Sequence, residues 1–133
     1  MQRCVHRLNV EVPSMRTALL VDGIWVLLAG IALLIPPIGA AVFAYPLKDP
    51  AVFSGWGAAL IVLGVIALLA AQDIDRYGRL ALVFVGGLLL TAVDMIYFWL
   101  TGDYTARTAL PPIIINVVLA VWIWTARPKA SGR

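Results

Sequence analysis

Asp94 lies in an apolar run with Gly87, Thr91 and Tyr97 at spacings of minus seven, minus three and plus three, which puts all four on one face of a helix. A carboxyl at the centre of a bilayer costs about 2.5–3.5 kcal/mol on insertion scales, so this stripe is expected to face protein or a polar cavity, away from lipid. Burial favours the neutral acid, a group that can donate a hydrogen bond or exchange a proton. Two more polar side chains, Asp22 and Asn116, interrupt apolar runs. Depth decides which can meet. At ~1.5 Å rise per residue, Asp22 falls ~6 Å to the inner side of its run's midpoint and Asp94 ~6 Å to the outer side of its own. The two carboxyls then differ by ~12 Å in depth and cannot form an acid dyad. Asn116, close to the midpoint of the last run, is the better partner for Asp94.

Two readings of this constellation stay open. One is an outward-facing polar pocket of Thr91, Asp94, Tyr97 and Asn116, with Lys48 and Arg107 reaching in from its rim. The other is an interhelical hydrogen bond between Asp94 and Asn116 without a ligand, worth ~0.6 kcal/mol on average in membranes. Asp22 reads as structural, near enough to the inner surface to pair with Arg16 or reach water.

Other chemistry finds little support. His6 is the single histidine, and serine is limited to Ser14, Ser54 and Ser131, which excludes a Ser/His/Asp nucleophile system and a multi-histidine oxygenase. Cys4 is the only cysteine, so no intrachain disulfide can form, and Cys4 with His6 is too small a ligand set for a metal site. No metal and no cofactor are expected. Gly55, Gly57, Gly86 and Gly87 lie within apolar helical runs and make no phosphate-binding loop. Acid catalysis by Asp94 on a lipid-soluble substrate is chemically open, but nothing in the sequence requires it.

The elements that position these residues follow from composition. The 133 residues are 62% hydrophobic and 13% charged, with a mean hydropathy of +0.96, too apolar for a soluble globular domain. Four windows, 17–35, 53–71, 80–100 and 109–125, can each cross roughly 30 Å of hydrocarbon. The expected architecture is all-α: an integral membrane, up-down four-helix bundle with an apolar outer loop between the first two helices. Residues 1–14 form a cytoplasmic segment, 15–126 the transmembrane domain and 127–133 a cytoplasmic basic tail. The net charge of +3 is distributed by side. Arg3, Arg7, Arg16, Arg76, Arg79, Arg127, Lys129 and Arg133 fall inside if the amino terminus is cytoplasmic, leaving only Lys48 and Arg107 outside. The positive-inside rule therefore puts both termini in the cytoplasm of a multi-pass cell-membrane protein. The basic residues set topology and meet anionic headgroups, and no aromatic-basic interleaving points to nucleic acid. A cleavable signal peptide is a rival reading of the first run, with Ala40, Ala41 and Ala44 downstream, but the run exceeds the usual ~7–15 residues and reads as a retained helix. The start of translation stays open between Met1 and Met15.

Local signals mark the helix ends. Ser14 caps the first helix and Pro36-Pro37 ends it. Asp49-Pro50 starts the second, which extends over 50–72, and Asp73 or Asp75 caps the third. Gly102 suits the left-handed residue that closes the third, and Thr108 is a candidate cap for the fourth, with Pro111 in its first turn. The stretch 36–49, with Ile38, Val42, Phe43 and Tyr45, is too apolar for a solvated loop and too short to cross, so it lies at the outer interface or dips back as a re-entrant segment. Trp56, Trp99 and Tyr104 read as anchors at the outer boundary, Tyr77 and Trp124 at the inner one, and Trp25 and Trp122 as deeper. Gly23 and Gly30, Gly57 and Gly64, and the Gly86-Gly87 pair are expected to let helices approach closely.

With these features in place the pattern resembles a known group. A first span ending in Pro36-Pro37, an apolar loop, Gly64 before Ala71-Gln72-Asp73-Ile74-Asp75-Arg76, and Asp94-Met95-Ile96-Tyr97 followed by Gly102-Asp103-Tyr104 resemble the BphX-like and DoxX-like small four-helix membrane proteins. The resemblance implies a four-helix integral membrane protein, some relatives being encoded with aromatic-compound catabolism or linked to oxidoreductase complexes. The expected function is a non-catalytic accessory or small-molecule-handling protein whose partners are the bilayer, copies of itself or other membrane subunits, and a small lipophilic ligand. The alternatives are a proton-linked carrier of a small lipophilic compound using Asp94, and a membrane enzyme with Asp94 as acid.

Overall fold

The computed structural model describes residues 14–46 and 48–127. Cys4, His6, Arg3, Arg7, Lys129 and Arg133 lie outside the described residues, as does the rest of the expected 127–133 tail beyond Arg127. The described residues form only helices: α1 (Met15–Leu34), α2 (Pro36–Phe43), α3 (Pro50–Gln72), α4 (Ile74–Tyr77), α5 (Ala81–Leu100) and α6 (Ala106–Ala126), with a 3-10 turn at Gly78–Leu80 between α4 and α5. Four segments are long and apolar enough to cross a membrane: Met15–Leu34, Pro50–Gln72, Ile74–Leu100 and Ala106–Ala126. This is the helical content of a multi-pass membrane protein.

Helix ends follow local chemistry. The Ser14 hydroxyl accepts from the Thr17 amide at 3.4 Å, and one Asp49 carboxylate oxygen accepts from the amides of Ala51 and Val52 at 3.0 and 3.3 Å. Each satisfies donors that the first helical turn leaves free. Pro36 and Pro37 act in two directions: they end α1 and occupy the opening positions of α2, where a missing N–H costs nothing. The stretch expected as an apolar outer loop, interfacial or re-entrant, is largely helix, packed on α1 and α3, and its last turn closes on Ala44 with a positive φ of 55°. Asp73, rather than Asp75, makes a cap, accepting from the Arg76 amide at 3.1 Å. Gly102 has φ +85° beyond the end of α5.

The expected cap of the last span is corrected. Thr105 caps α6, accepting from the Thr108 amide at 3.3 Å. Thr108 is buried inside the helix and its hydroxyl donates to the Ala44 carbonyl at 2.9 Å. With Thr105 supplying the cap, the helix begins at Ala106, Thr108 lies on its packed side, and Pro111 and Pro112 fall in its second turn. There each proline removes a hydrogen bond to a carbonyl one turn back.

The closest helix contact joins α1 to α3. A Cβ built on Gly30 would sit 2.7 Å from the Ile61 nitrogen and 2.9 Å from the Gly57 oxygen; one on Gly64 would sit 2.8 Å from the Leu27 nitrogen and 2.9 Å from the Gly23 oxygen. Gly30 thus faces Gly57 and Gly23 faces Gly64, an antiparallel register in which two backbones touch because neither carries a side chain. α5 packs along α6, and α1 against α6 joins the two pairs. Met15, Leu19, Val85, Leu88, Leu119 and Ile123 share the resulting core cluster. Gly86 and Gly87 behave differently from expectation: a Cβ on either meets nothing within 4 Å. The same outward side of α5 carries Leu90 at 71% and Val93 at 61% exposure, an apolar surface suited to acyl chains or another helix.

At the end carrying Arg76, guanidinium groups lie over rings: Arg127 is 3.3 Å from the Trp124 centroid and Arg76 is 5.3 Å from that of Tyr77. These are the aromatic and basic pairs that anchor a helix end at a headgroup layer.

Candidate functional site

Asp94 lies on α5 beside the buried stripe of Leu88, Ala92 and Met95. It is half-buried, and its Oδ2 is shielded with no hydrogen-bond partner among the described residues. Of the side chains expected around it, Thr91 is exposed and its hydroxyl donates to the Gly87 carbonyl of its own helix at 2.9 Å. Tyr97 is 60% exposed and stacks edge-on against Phe98 at 5.3 Å. Asn116 is buried on α6 at 5% exposure, and no hydrogen bond joins it to Asp94. Arg107 is exposed and makes no ion pair among the described residues.

Lys48 is at the rim, but committed elsewhere. Its Nζ donates to Asp103 Oδ1 at 2.8 Å, and Asp103 Oδ2 accepts from the Thr101 hydroxyl at 3.0 Å. This clasp ties the segment before α3 to the loop after α5. The hydrogen bond from Lys48 holds the Asp103 carboxyl below its usual range, and the same bond raises the Lys48 ammonium. Both groups are exposed, so the clasp is screened by salt. Its contribution is present above the ordinary carboxylate value of 3.8 and is lost as pH falls through the lowered Asp103 value; on the alkaline side it persists to the ordinary lysine value of 10.5 and is lost above it. Hydrogen-exchange protection of the two loops, measured relative to the intrinsic exchange rate at each pH, is expected to fall only outside that window, and Asp103→Asn is expected to remove the acid limb. A loss of protection near neutral pH in the unaltered chain would contradict this account.

What the fold brings to Asp94 is a pair of tyrosines that the sequence reading assigned elsewhere. The Asp94 charge acts on both Tyr45 and Tyr104. Burial is the first cause raising each phenol, followed by neighbouring charge, so both stay protonated and remain hydrogen-bond donors. Tyr45 spends its hydroxyl on a poor acceptor, Met95 Sδ, at 3.7 Å. The two phenol rings are 5.4 Å apart and belong to a chain of ring contacts: Trp25 to Phe43 at 6.2 Å, Phe43 to Tyr45 at 5.7 Å, Tyr45 to Phe53 at 5.6 Å and Phe98 to Tyr104 at 5.3 Å. The available signal was the concentration of aromatic residues at one end of three different helices. Read singly they are anchors; only their convergence makes a site.

Beside these rings is a cleft of about 90 Å³ lined by Leu33, Tyr45, Val52, Phe53, Trp56 and Tyr104. Pockets for drug-sized ligands run to roughly 300–1,000 Å³, and a dry engineered cavity that takes benzene has about 150 Å³. This cleft therefore admits a compact group of a few atoms, with the remainder of any ligand outside.

Asp22 has a different environment from the one expected. It is 1% exposed, its Oδ1 has no hydrogen-bond partner, and it makes no ion pair with the exposed Arg16 among the described residues. Among the described residues it makes no ion pair, because its face of α1 is the one that turns into the core with Ala18 and Leu19. The described residues contain no group of three or more potential metal ligands.

Comparison with known proteins finds no matching family model, no matching curated protein and no matching solved structure.

Proposed function

We propose that this chain is a non-catalytic integral protein of the cell membrane, an up-down four-helix bundle with both termini cytoplasmic, that handles a small molecule at its Lys48 end as an accessory in an oligomer or larger membrane complex. The observation that carries the reading is the aromatic cleft bordered by Tyr45 and Tyr104, with the shielded, unpartnered Asp94 oxygen close enough for its charge to act on both rings. An acid kept at this depth without a structural partner is a functional hypothesis by default. The distribution of basic residues supports placing the cleft on the outer side, and the resemblance to BphX-like and DoxX-like proteins supports the accessory role.

Purification of the full chain in mild detergent, followed by native mass spectrometry, tests this. A bound small molecule or a defined partner subunit is the expected result, with the small molecule lost in Tyr104→Leu. A chain recovered empty and alone under conditions that keep control complexes intact overturns the reading. The unpartnered Asp94 oxygen also favours a second reading, a proton-linked carrier for a lipophilic compound. That reading requires pH-dependent flux in vesicles that disappears in Asp94→Asn, whereas an accessory keeps its partner in that variant.

A further inference from the structure

We propose that the cleft at the Lys48 end takes a trimethylammonium group, held against the rings of Tyr45, Trp56 and Tyr104, with Asp94 as the nearby acid. The proposal rests on the small-molecule reading above and names its ligand class. Four of the six lining residues are aromatic, and an aromatic face is the negative end of a quadrupole that attracts a cation within about 6 Å of the centroid. Tyr45 lies 5.6 Å from Phe53 and 5.4 Å from Tyr104, so one compact cation can touch more than one ring.

Charge around the cleft has the matching sign. Lys48, the nearby cation, is neutralised by its ion pair with Asp103, and Asp49 is engaged in capping α3. Asp94 keeps a shielded oxygen without a hydrogen-bond partner among the described residues, and it is near enough to be one of the causes that raise the Tyr45 and Tyr104 phenols, after burial. An anion would meet the negative faces of the aromatic rings and is disfavoured by them. A neutral alkyl group would gain burial but leave those faces unanswered. The volume of about 90 Å³ suits a headgroup, and the exposed apolar residues around it, Val52 at 54% and Trp56 at 49%, are placed to follow an attached chain into lipid. That chemistry is shared by a free alkylammonium amphiphile and by a choline-type lipid headgroup.

The full chain, reconstituted in nanodiscs free of choline lipid, is titrated with dodecyltrimethylammonium and with its uncharged carbon isostere of equal chain length. The cation is expected to bind at least tenfold tighter. Trp56→Leu, at a half-exposed position that leaves the helix core untouched, is expected to weaken the cation roughly 2- to 30-fold, the span of a cation–π contact, and to leave the isostere nearly unchanged. Asp94→Asn is expected to act in the same selective direction. Competition by phosphatidylcholine in the nanodisc assigns the native source to lipid, and lack of competition assigns it to a free amphiphile; either result supports the site. Equal binding of cation and isostere, or equal weakening of both by Trp56→Leu, overturns the proposal. Recovery of a neutral compound from the cleft by native mass spectrometry would remove the cation and leave the small-molecule reading standing.

Discussion

Gly57→Leu is expected to separate α1 from α3 and to cost more than ~3 kcal/mol of stability, beyond the usual range for overpacking. A Cβ at Gly57 would collide with the Leu34 amide nitrogen and lie 2.7 Å from both the Leu34 Cα and the Gly30 oxygen. All three are backbone or backbone-bound atoms, so no rotamer change relieves the contact. The helices must move apart, and the facing pair of Gly23 and Gly64 loses its contact with them. Even Gly57→Ala is expected to be damaging, because the first added atom is the one that clashes. Detergent-titration unfolding followed by circular dichroism measures the effect. Gly87→Ala is the matched control: its Cβ meets open space, so the isolated chain is expected to keep its stability. If Gly57→Leu unfolds no earlier than Gly87→Ala, the α1–α3 contact is not the one that holds the fold. A Gly87→Ala variant that is stable yet loses a partner subunit would locate that partner on the open side of α5.

Asp22→Ala is expected to raise stability. A buried polar group without a hydrogen bond carries a desolvation penalty of ~1–3 kcal/mol, and Asp22 is 1% exposed with an unpartnered oxygen. Alanine removes that penalty and leaves a void smaller than a leucine-to-alanine cavity, so the net gain is expected at ~1–2 kcal/mol. Asp22→Asn, which keeps a buried polar head, is expected to change stability less. The sign is decisive: a loss of stability in Asp22→Ala would mean that the carboxyl has a partner that holds the helices together. A gain accompanied by loss of partner or ligand binding would move Asp22 from the structural residues to the functional ones, since natural proteins retain a costly buried group where activity needs it.

These two expectations differ in how far the sequence could anticipate them. The glycines at spacing seven on two helices announced close packing, but the sequence could not tell which glycines would meet. Gly86 and Gly87 carried the same signal and face open space. Asp22 was readable as an acid in a membrane run, yet its distance from water depends on how α1 is rotated against α6, and that rotation is set by side chains far along the chain. Thr108 shows the same limit on a smaller scale. Its hydroxyl was a sound local cap candidate, but Thr105 makes the cap, and Thr108, inside the helix, donates to the distant Ala44 carbonyl.

The four apolar spans, the caps at Ser14 and Asp49, the break at Pro36-Pro37 and the left-handed Gly102 were determined by sequence alone. Each depends on hydrocarbon thickness or on hydrogen bonds closed within about one helical turn. Only the tertiary structure decided that Tyr45 and Tyr104 converge near Asp94, that Lys48 spends its charge on Asp103, and that Asp22 turns into the core. Those contacts join residues tens of positions apart, where local hydrogen bonding and periodicity carry no information and the relative rotation of packed helices decides which side chains meet.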